Sequence, residues 1–383
     1  MPDLEDYSGP FNPNLKLTDF SKEALLRLLV AAGKMYLGSD GMWTTVIRKR
    51  YGDDVALSCS KEVWNTIGQQ ELRRPTEAMN IGVGDIASLF KFFQVDPGFA
   101  VMFDIDFELS DDGKYGLMTV KRCPSLEYFE RHGDEWLMNL ACNELDRPML
   151  PETARHFNPE IKTRPLKLPP RKSKDEIACQ WEFKLGSIVM SQKEDTMPDL
   201  EDYSGPFNPN LKLTDFSKEA LVRLLVAAGK MYLGADGMWT SVIRKRYGDD
   251  AALSCSKEVW DTNWKQEMRR PTEAMNIHGN DIASMFKYFQ IDPGFAVMFD
   301  INYELKDGGN YGLMTVTKCR TLEYCERHGD DWLLNLACNE LDKPLIAETA
   351  RTFNPKITTN ILKLPPRKSK DDIACQWEFR LET

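Results

Sequence analysis

Three cysteines and one histidine occur together twice in this chain at one interval. Cys123, His132, Cys142 and Cys179 are spaced C-x8-H-x9-C-x36-C, and Cys319, His328, Cys338 and Cys375 repeat that spacing in the second half. Thiolate and imidazole are ligands that zinc prefers, so a zinc site at these eight residues is one reading; the closely paired cysteines of ribbons and fingers are absent. Nucleophilic chemistry is another. A histidine beside a thiol acts as its base and lowers its pKa, which makes Cys123, His132 and Cys142, with Cys319, His328 and Cys338, the candidate catalytic groups. A third reading is plain burial. Cys179 alternates with Ile177, Trp181, Phe183 and Leu185 and so faces the core side of a strand. Cys142 shares an apolar helix face with Met138 and Leu145, and a free cysteine packs well as a small hydrophobe.

Other residues bear on a ligand. Lys167-Leu168-Pro169-Pro170-Arg171-Lys172-Ser173-Lys174 is basic within an acidic chain. It is either a solvated loop or a gate that draws an anionic small molecule toward Arg171 and, in the second half, Arg367. Arg48-Lys49-Arg50 divides the same way. Trp43 and Trp181, with Trp239 and Trp377, either line a pocket or fill the core. No G-x-S-x-G, H-E-x-x-H, glycine-rich phosphate loop or dinucleotide fingerprint is present.

The doubled motif belongs to a doubled chain. Residues 1–187 and 197–383 align without a gap and agree at about four positions in five. The unit is too long for a solenoid repeat, so it reads as one domain written twice, with 188–196 a short polar linker. Mild scattered exchanges, such as Leu26 against Val222, favour drift after an in-frame gene fusion over a designed duplication. Two copies of one domain predict an internal pseudo-dimer about an approximate two-fold axis. Differences are informative by subtraction: His156 becomes Thr352, Phe129 becomes Cys325 and Pro124 becomes Arg320. Segments 65–84 and 261–280 diverge most, as a tolerant surface or as a ligand or partner contact.

The formal net charge of −10 gives no electrostatic support for nucleic-acid binding. No apolar run approaches a membrane span, and the acidic start Met1-Pro2-Asp3-Leu4-Glu5-Asp6 is unlike a signal peptide. These features predict a cytoplasmic protein. Nine cysteines in that setting read as free thiols or ligands rather than a disulfide frame.

The elements that position the motif follow from periodicity. Asp19 or Ser21 caps a first helix through Leu25, Leu28, Leu29, Ala32 and Met35. Gly38 to Gly41 reads as a turn, with a second helix to Tyr51. Ser60 reads as the cap of a third helix, and Asp85 starts a fourth that Pro97-Gly98 stops. Alternation from Phe99 to Leu109 predicts a strand, Ser110 to Lys114 a hairpin loop, and Tyr115 to Cys123 the returning strand. Short helical stretches follow to Gly133 and from Asp134 to Asp146. Strands over 161–168 and 177–185 complete the sheet. Each copy is therefore expected to be α+β: a helical N-terminal part, then an antiparallel sheet with helices packed on one face.

The run Gly41-Met42-Trp43, Tyr51-Gly52-Asp53, Val63-Trp64, Arg122-Cys123-Pro124, Ala141-Cys142 and Ile177-Ala178-Cys179-Gln180-Trp181-Glu182-Phe183 resembles a family of uncharacterised prokaryotic cytosolic proteins. That family looks related to L-2-amino-thiazoline-4-carboxylic acid hydrolases. A looser likeness in fold is to vinyl-reductase-type ligand-binding domains, some of which hold a structural zinc through cysteines. The resemblance implies a small-molecule hydrolase or lyase that opens a ring at a C–N or C–S bond, with Cys123 or Cys142 as nucleophile or ligand and His132 as general acid or base. The alternative is a non-catalytic binding module with a structural metal or buried free thiols.

Overall fold

The structure is a computed structural model and describes residues 3–186 and 200–382. The expected linker, 188–196, lies outside the described residues.

Helix α1 runs unbroken from Lys22 to Tyr51, and its repeat, α7, from Lys218 to Tyr247. Ser21 provides the start, its hydroxyl accepting the N–H of Ala24 at 3.3 Å. Arg48, Lys49 and Arg50 occupy the last turn, where the helix dipole favours cations. The turn expected at Gly38–Gly41 does not form. Asp40 instead accepts the Trp239 indole N–H at 2.8 Å, and Asp236 accepts that of Trp43 at 2.8 Å. The two indoles stack 6.0 Å apart and nearly parallel. The open face of Gly38 admits the Arg270 guanidinium, where an added Cβ would lie 2.8 Å from Nη1. These contacts outweigh the roughly 1 kcal/mol that each helical glycine costs.

Helix α2 (Asp53–Ala78) begins before the expected cap, so Ser60 lies buried inside it. Asp53 and Asp54 in its first turn complement the dipole. Helix α3 (Ile86–Val95) starts where expected, Asp85 accepting the Ser88 N–H at 2.7 Å. Strand β1 (Asp104–Leu109) begins later than Phe99, because Asp96 first ties the chain into a turn through the N–H groups of Gly98 and Phe99. Next come β2 (Tyr115–Arg122), α4 (Pro124–His132), α5 (Glu135–Asn139), a π-helical turn (Leu140–Asp146), α6 (Arg147–Phe157), β3 (Lys162–Lys167) and β4 (Cys179–Lys184). The second copy continues after α7 with α8 (Asp249–Ala274), α9 (Ile282–Ile291), α10 (Pro293–Met298), β5 (Phe299–Lys306), β6 (Tyr311–Cys319), α11 (Arg320–His328) and α12 (Asp331–Asn335). A π-helical turn (Leu336–Asp342), α13 (Lys343–Phe353), β7 (Ile357–Lys363) and β8 (Cys375–Leu381) complete it.

Each copy forms a four-stranded antiparallel sheet, ordered β1-β2-β4-β3 and β5-β6-β8-β7. The α+β expectation holds. On one sheet face, Phe90 of α3 meets Phe107 and Phe183 with ring centroids 5.0 and 5.4 Å apart. Gly116 makes this approach possible, since a Cβ there would stand 2.6 Å from the Phe90 ring. The compact units do not follow the repeat limits 1–187 and 197–383. One comprises Met1–Val46 with Tyr232–Thr383, and the other Ile47–Met231. Each unit thus holds the body of one copy and the N-terminal arm of the other.

Candidate thiol–carboxyl site

Antiparallel pairing places the end of β2 beside the start of β4. Val120 is opposite Cys179, and Ala178 donates its N–H to the Val120 carbonyl at 2.8 Å. Cys123, just beyond β2, therefore comes to Cys179. It is also the N-cap of α4, its Sγ accepting the Leu126 N–H at 3.3 Å. The π-helical turn supplies Cys142 and, four residues on, Asp146. In the other body Cys319, Cys338, Asp342 and Cys375 line a cavity of about 30 Å³ with Phe295, Phe299, Met314, Val316, Ile346 and Trp377. Pro365 of the cis Pro365–Pro366 pair closes one side. That volume holds about two waters.

The electrostatics are those of an apolar recess. Burial pushes the Asp342 carboxyl up to about 7. Asp342 is half-buried and lines the cavity, whereas its counterpart Asp146 is solvent-exposed. Neither has a hydrogen-bond or ion-pair partner among the described residues. Burial, and then the neighbouring Asp146 carboxyl, push the Cys179 thiol up to about 12. Burial likewise drives Cys123 to about 12, against the pull of the Leu126 N–H. Cys142 is displaced upward for the same first reason, with Asp146, Cys123 and Cys179 adding to it. In the second body Cys319 and Cys375 rise to about 12 and Cys338 rises as well, again through burial. None of the nine cysteines is in a disulfide.

The structure brings three of the four predicted residues together and leaves out the histidine. His132 ends α4 while Cys123 begins it, so about 13 Å of helix axis separates them. The His132 ring is exposed, packs on Tyr128 at 4.2 Å, and its Nδ1 lies 2.8 Å from the Tyr128 carbonyl. His328 repeats this on Tyr324. Neither histidine is a base for a buried thiol. The expected zinc set is not assembled either: among the described residues no group of three or more His, Cys, Asp or Glu side chains is arranged to hold a metal.

The substrate-binding expectations are also redistributed. Arg171 is 4% exposed and grips both Glu130 oxygens at 2.8 Å, with further bonds to the carbonyls of Lys174 and Glu176. Arg367 holds Glu326 in the same way. These arginines fasten the loop before the last strand to α4 and, in the second copy, to α11, and are not free to receive an anion. Arg48 belongs to a similar clamp, between Asp53 and Asp134 and over the Trp136 ring at 4.2 Å. Trp43 and Trp239 stack on each other, apart from the cavity-lining residues, whereas Trp377 lines the cavity and Trp181 is its buried counterpart. Sequence reasoning missed Asp146 and Asp342. Their signal was an acidic residue retained four places after a retained cysteine on an otherwise apolar face.

Fold and site together define a tandem α+β protein with a cluster of three thiols in each copy, which in the second copy lines a small cavity with Asp342. The chain belongs to the family of unknown function DUF6125, whose model matches residues 18–185 and again 214–381. The doubled match fits an internal pseudo-dimer. No curated protein and no solved structure matches the chain. Among the described residues no helix is long and apolar enough to cross a membrane.

Proposed function

We propose that each thiol cluster is the site of a small-molecule hydrolase or lyase in which Asp146 and Asp342 move the protons. The observation that carries this reading is the Asp342 carboxyl, without a protein partner among the described residues, which lines an apolar cavity together with Cys319, Cys338 and Cys375. A group poised near the working pH both accepts and returns a proton efficiently. The resemblance to L-2-amino-thiazoline-4-carboxylic acid hydrolases supplies the reaction class. Water adds to a ring carbon, the carboxylate takes the proton from that water, and the resulting acid returns it to the ring nitrogen or sulfur as the C–N or C–S bond breaks. The aromatic and aliphatic walls exclude bulk water. The carboxyl favours a substrate that presents a hydrogen-bond donor or a cationic group, because the basic side chains once expected to receive an anion are already engaged. The cavity must widen to admit such a molecule.

One observation favours a second reading, a binding module that does no chemistry. The thiols are pushed upward and stay protonated at neutral pH, so none is an activated nucleophile in the unliganded chain. The carboxyl-based reaction does not require one to be.

The test is ring opening of 2-aminothiazoline carboxylate and related small cyclic amidines by the full chain and by the Asp146→Asn, Asp342→Asn double variant. The expected result is a fall of about 10²–10⁴-fold in turnover, the usual worth of a general acid–base group, with circular dichroism unchanged. The parent pH profile should bend near 7. Undiminished turnover in the double variant would remove the carboxyls from the mechanism. Saturable binding of these compounds without turnover would select the binding module.

A further inference from the structure

Each unit is completed by an arm from the other copy, and the two sets of contacts match. In the unit of Ile47–Met231, Tyr203 donates its N–H to the Met79 carbonyl (2.7 Å) and its hydroxyl to Gln94 Oε1 (2.7 Å). Arg223 Nε reaches the Ala78 carbonyl (2.8 Å), and Gln94 Nε2 the Asn208 carbonyl (2.9 Å). The Phe207 ring lies 5.8 Å from Phe90 and 6.4 Å from Phe107. In the unit of Met1–Val46 with Tyr232–Thr383, Tyr7 meets the Met275 carbonyl (2.8 Å) and Gln290 (2.7 Å). Arg27 Nε meets the Ala274 carbonyl (2.9 Å), Gln290 Nε2 the Asn12 carbonyl (2.8 Å), and Phe11 the rings of Phe286 and Tyr303 at 5.8 and 6.2 Å. The anchor is an aromatic pair set among main-chain hydrogen bonds, which specifies one occupant closely. The arms fit that demand. Over the first 46 positions the copies differ only as Leu26/Val222, Ser39/Ala235 and Thr45/Ser241.

We infer that the N-terminal arm is an exchange segment whose docking surface lies on a second copy of this domain, and that Gly38–Gly41 and Gly234–Gly237 are the exchange hinges. Gly-x-Asp-Gly has the composition of a turn. As a turn it would return the arm to its own copy. As the middle of a thirty-residue helix it extends the chain, and the body built from residues 47 onward takes up residues 200–231 instead. A hinge that is a turn when closed and straight when exchanged is how identical elements trade places between protomers. Here both protomers lie in one chain. Two matched arms, and not the linker, therefore hold the copies to each other.

The test keeps the full chain and cuts it afterwards. A protease site is inserted within 188–196, p-benzoylphenylalanine replaces Phe11, and the purified protein is cut, passed over a sizing column and irradiated. The halves should co-elute, and irradiation should join them into one adduct near the full-length 43.9 kDa. Adducts confined to a half-length band would show the arm on its own copy and overturn the inference. So would separation of the halves on the column, or adducts of twice the full mass. Should the Phe11 replacement prevent folding, the same probe at Asn12, which contacts Gln290 through its backbone carbonyl and has an exposed side chain, reads the same outcomes.

Discussion

Gly41→Ala and Gly237→Ala should each stabilise the chain, because both glycines lie in helix interiors and not in turns. Alanine is favoured over glycine in a helix by about 1 kcal/mol, and 0.4–1 kcal/mol of this kind of gain arises from a less flexible unfolded chain. Steric cost is absent, since an added Cβ at either site meets nothing within 4 Å. The pair should contribute about 2 kcal/mol if the sites act independently. With a urea m-value of about 3 kcal/mol/M, that raises the midpoint by about 0.7 M. Gly38→Ala is the internal control. Its Cβ would stand 2.8 Å from Arg270 Nη1, an atom already bonded to the Lys34 carbonyl and Glu267 Oε1 at 2.8 Å each. Displacing that guanidinium costs about 1.5–3 kcal/mol per charged hydrogen bond lost, which exceeds the helix gain, so the control should lower the midpoint. Urea unfolding of the full chain, followed by circular dichroism and by tryptophan fluorescence, measures all three variants. A fall in midpoint for the Gly41/Gly237 pair, or equal behaviour of Gly38→Ala and Gly41→Ala, would refute the helical hinge.

Two further outcomes follow from the buried groups. Thiols pushed up to about 12 are almost wholly protonated at pH 8, so the native chain should react with a disulfide reagent at least about 100-fold more slowly than free cysteine. All nine cysteines should react in denaturant, and one fast thiol per copy in the native chain would contradict the assignment. Stability should also fall from pH 5 to pH 8.5. The carboxyls of Asp96 and Asp342 sit near 7, Asp236 near 6 and Glu267 near 8, all raised by burial above their unfolded values. The native chain therefore holds more protons than the unfolded one between about pH 4 and 8, and stability is lost as pH rises through that window. The ion-paired carboxylates shifted downward, such as Glu130 and Glu326, gain their stability below pH 5 and do not reverse the sign. A urea midpoint that is level or rising from pH 5 to 8.5 would count against these burials.

The duplication, the α+β class, the hairpin at 110–114 and the Asp85 cap were legible in the sequence because each rests on a local rule: self-similarity, a period of two, turn composition, or a side chain reaching its own backbone. So was the convergence of three thiols, since alternation and helix facing already pointed Cys179 and Cys142 inward. His132 was misplaced even though the helical stretch to Gly133 was legible, because the two residues stand at opposite ends of that nine-residue helix and a shared motif says nothing of the distance between its ends. Asp342 was overlooked because its importance depends on the recess around it, which no single segment contains. Gly38–Gly41 carries the sharpest division. By its local chemistry it is a turn. The indole bonds of Trp43 and Trp239, the stacking between them and the seat of Arg270 make it a helix. The sequence by itself determined that one domain is written twice and which residues line its core. The tertiary structure alone decided which arm completes which body, because that choice turns on contacts between residues some 200 positions apart, whose summed energy exceeds the helix propensity of two glycines.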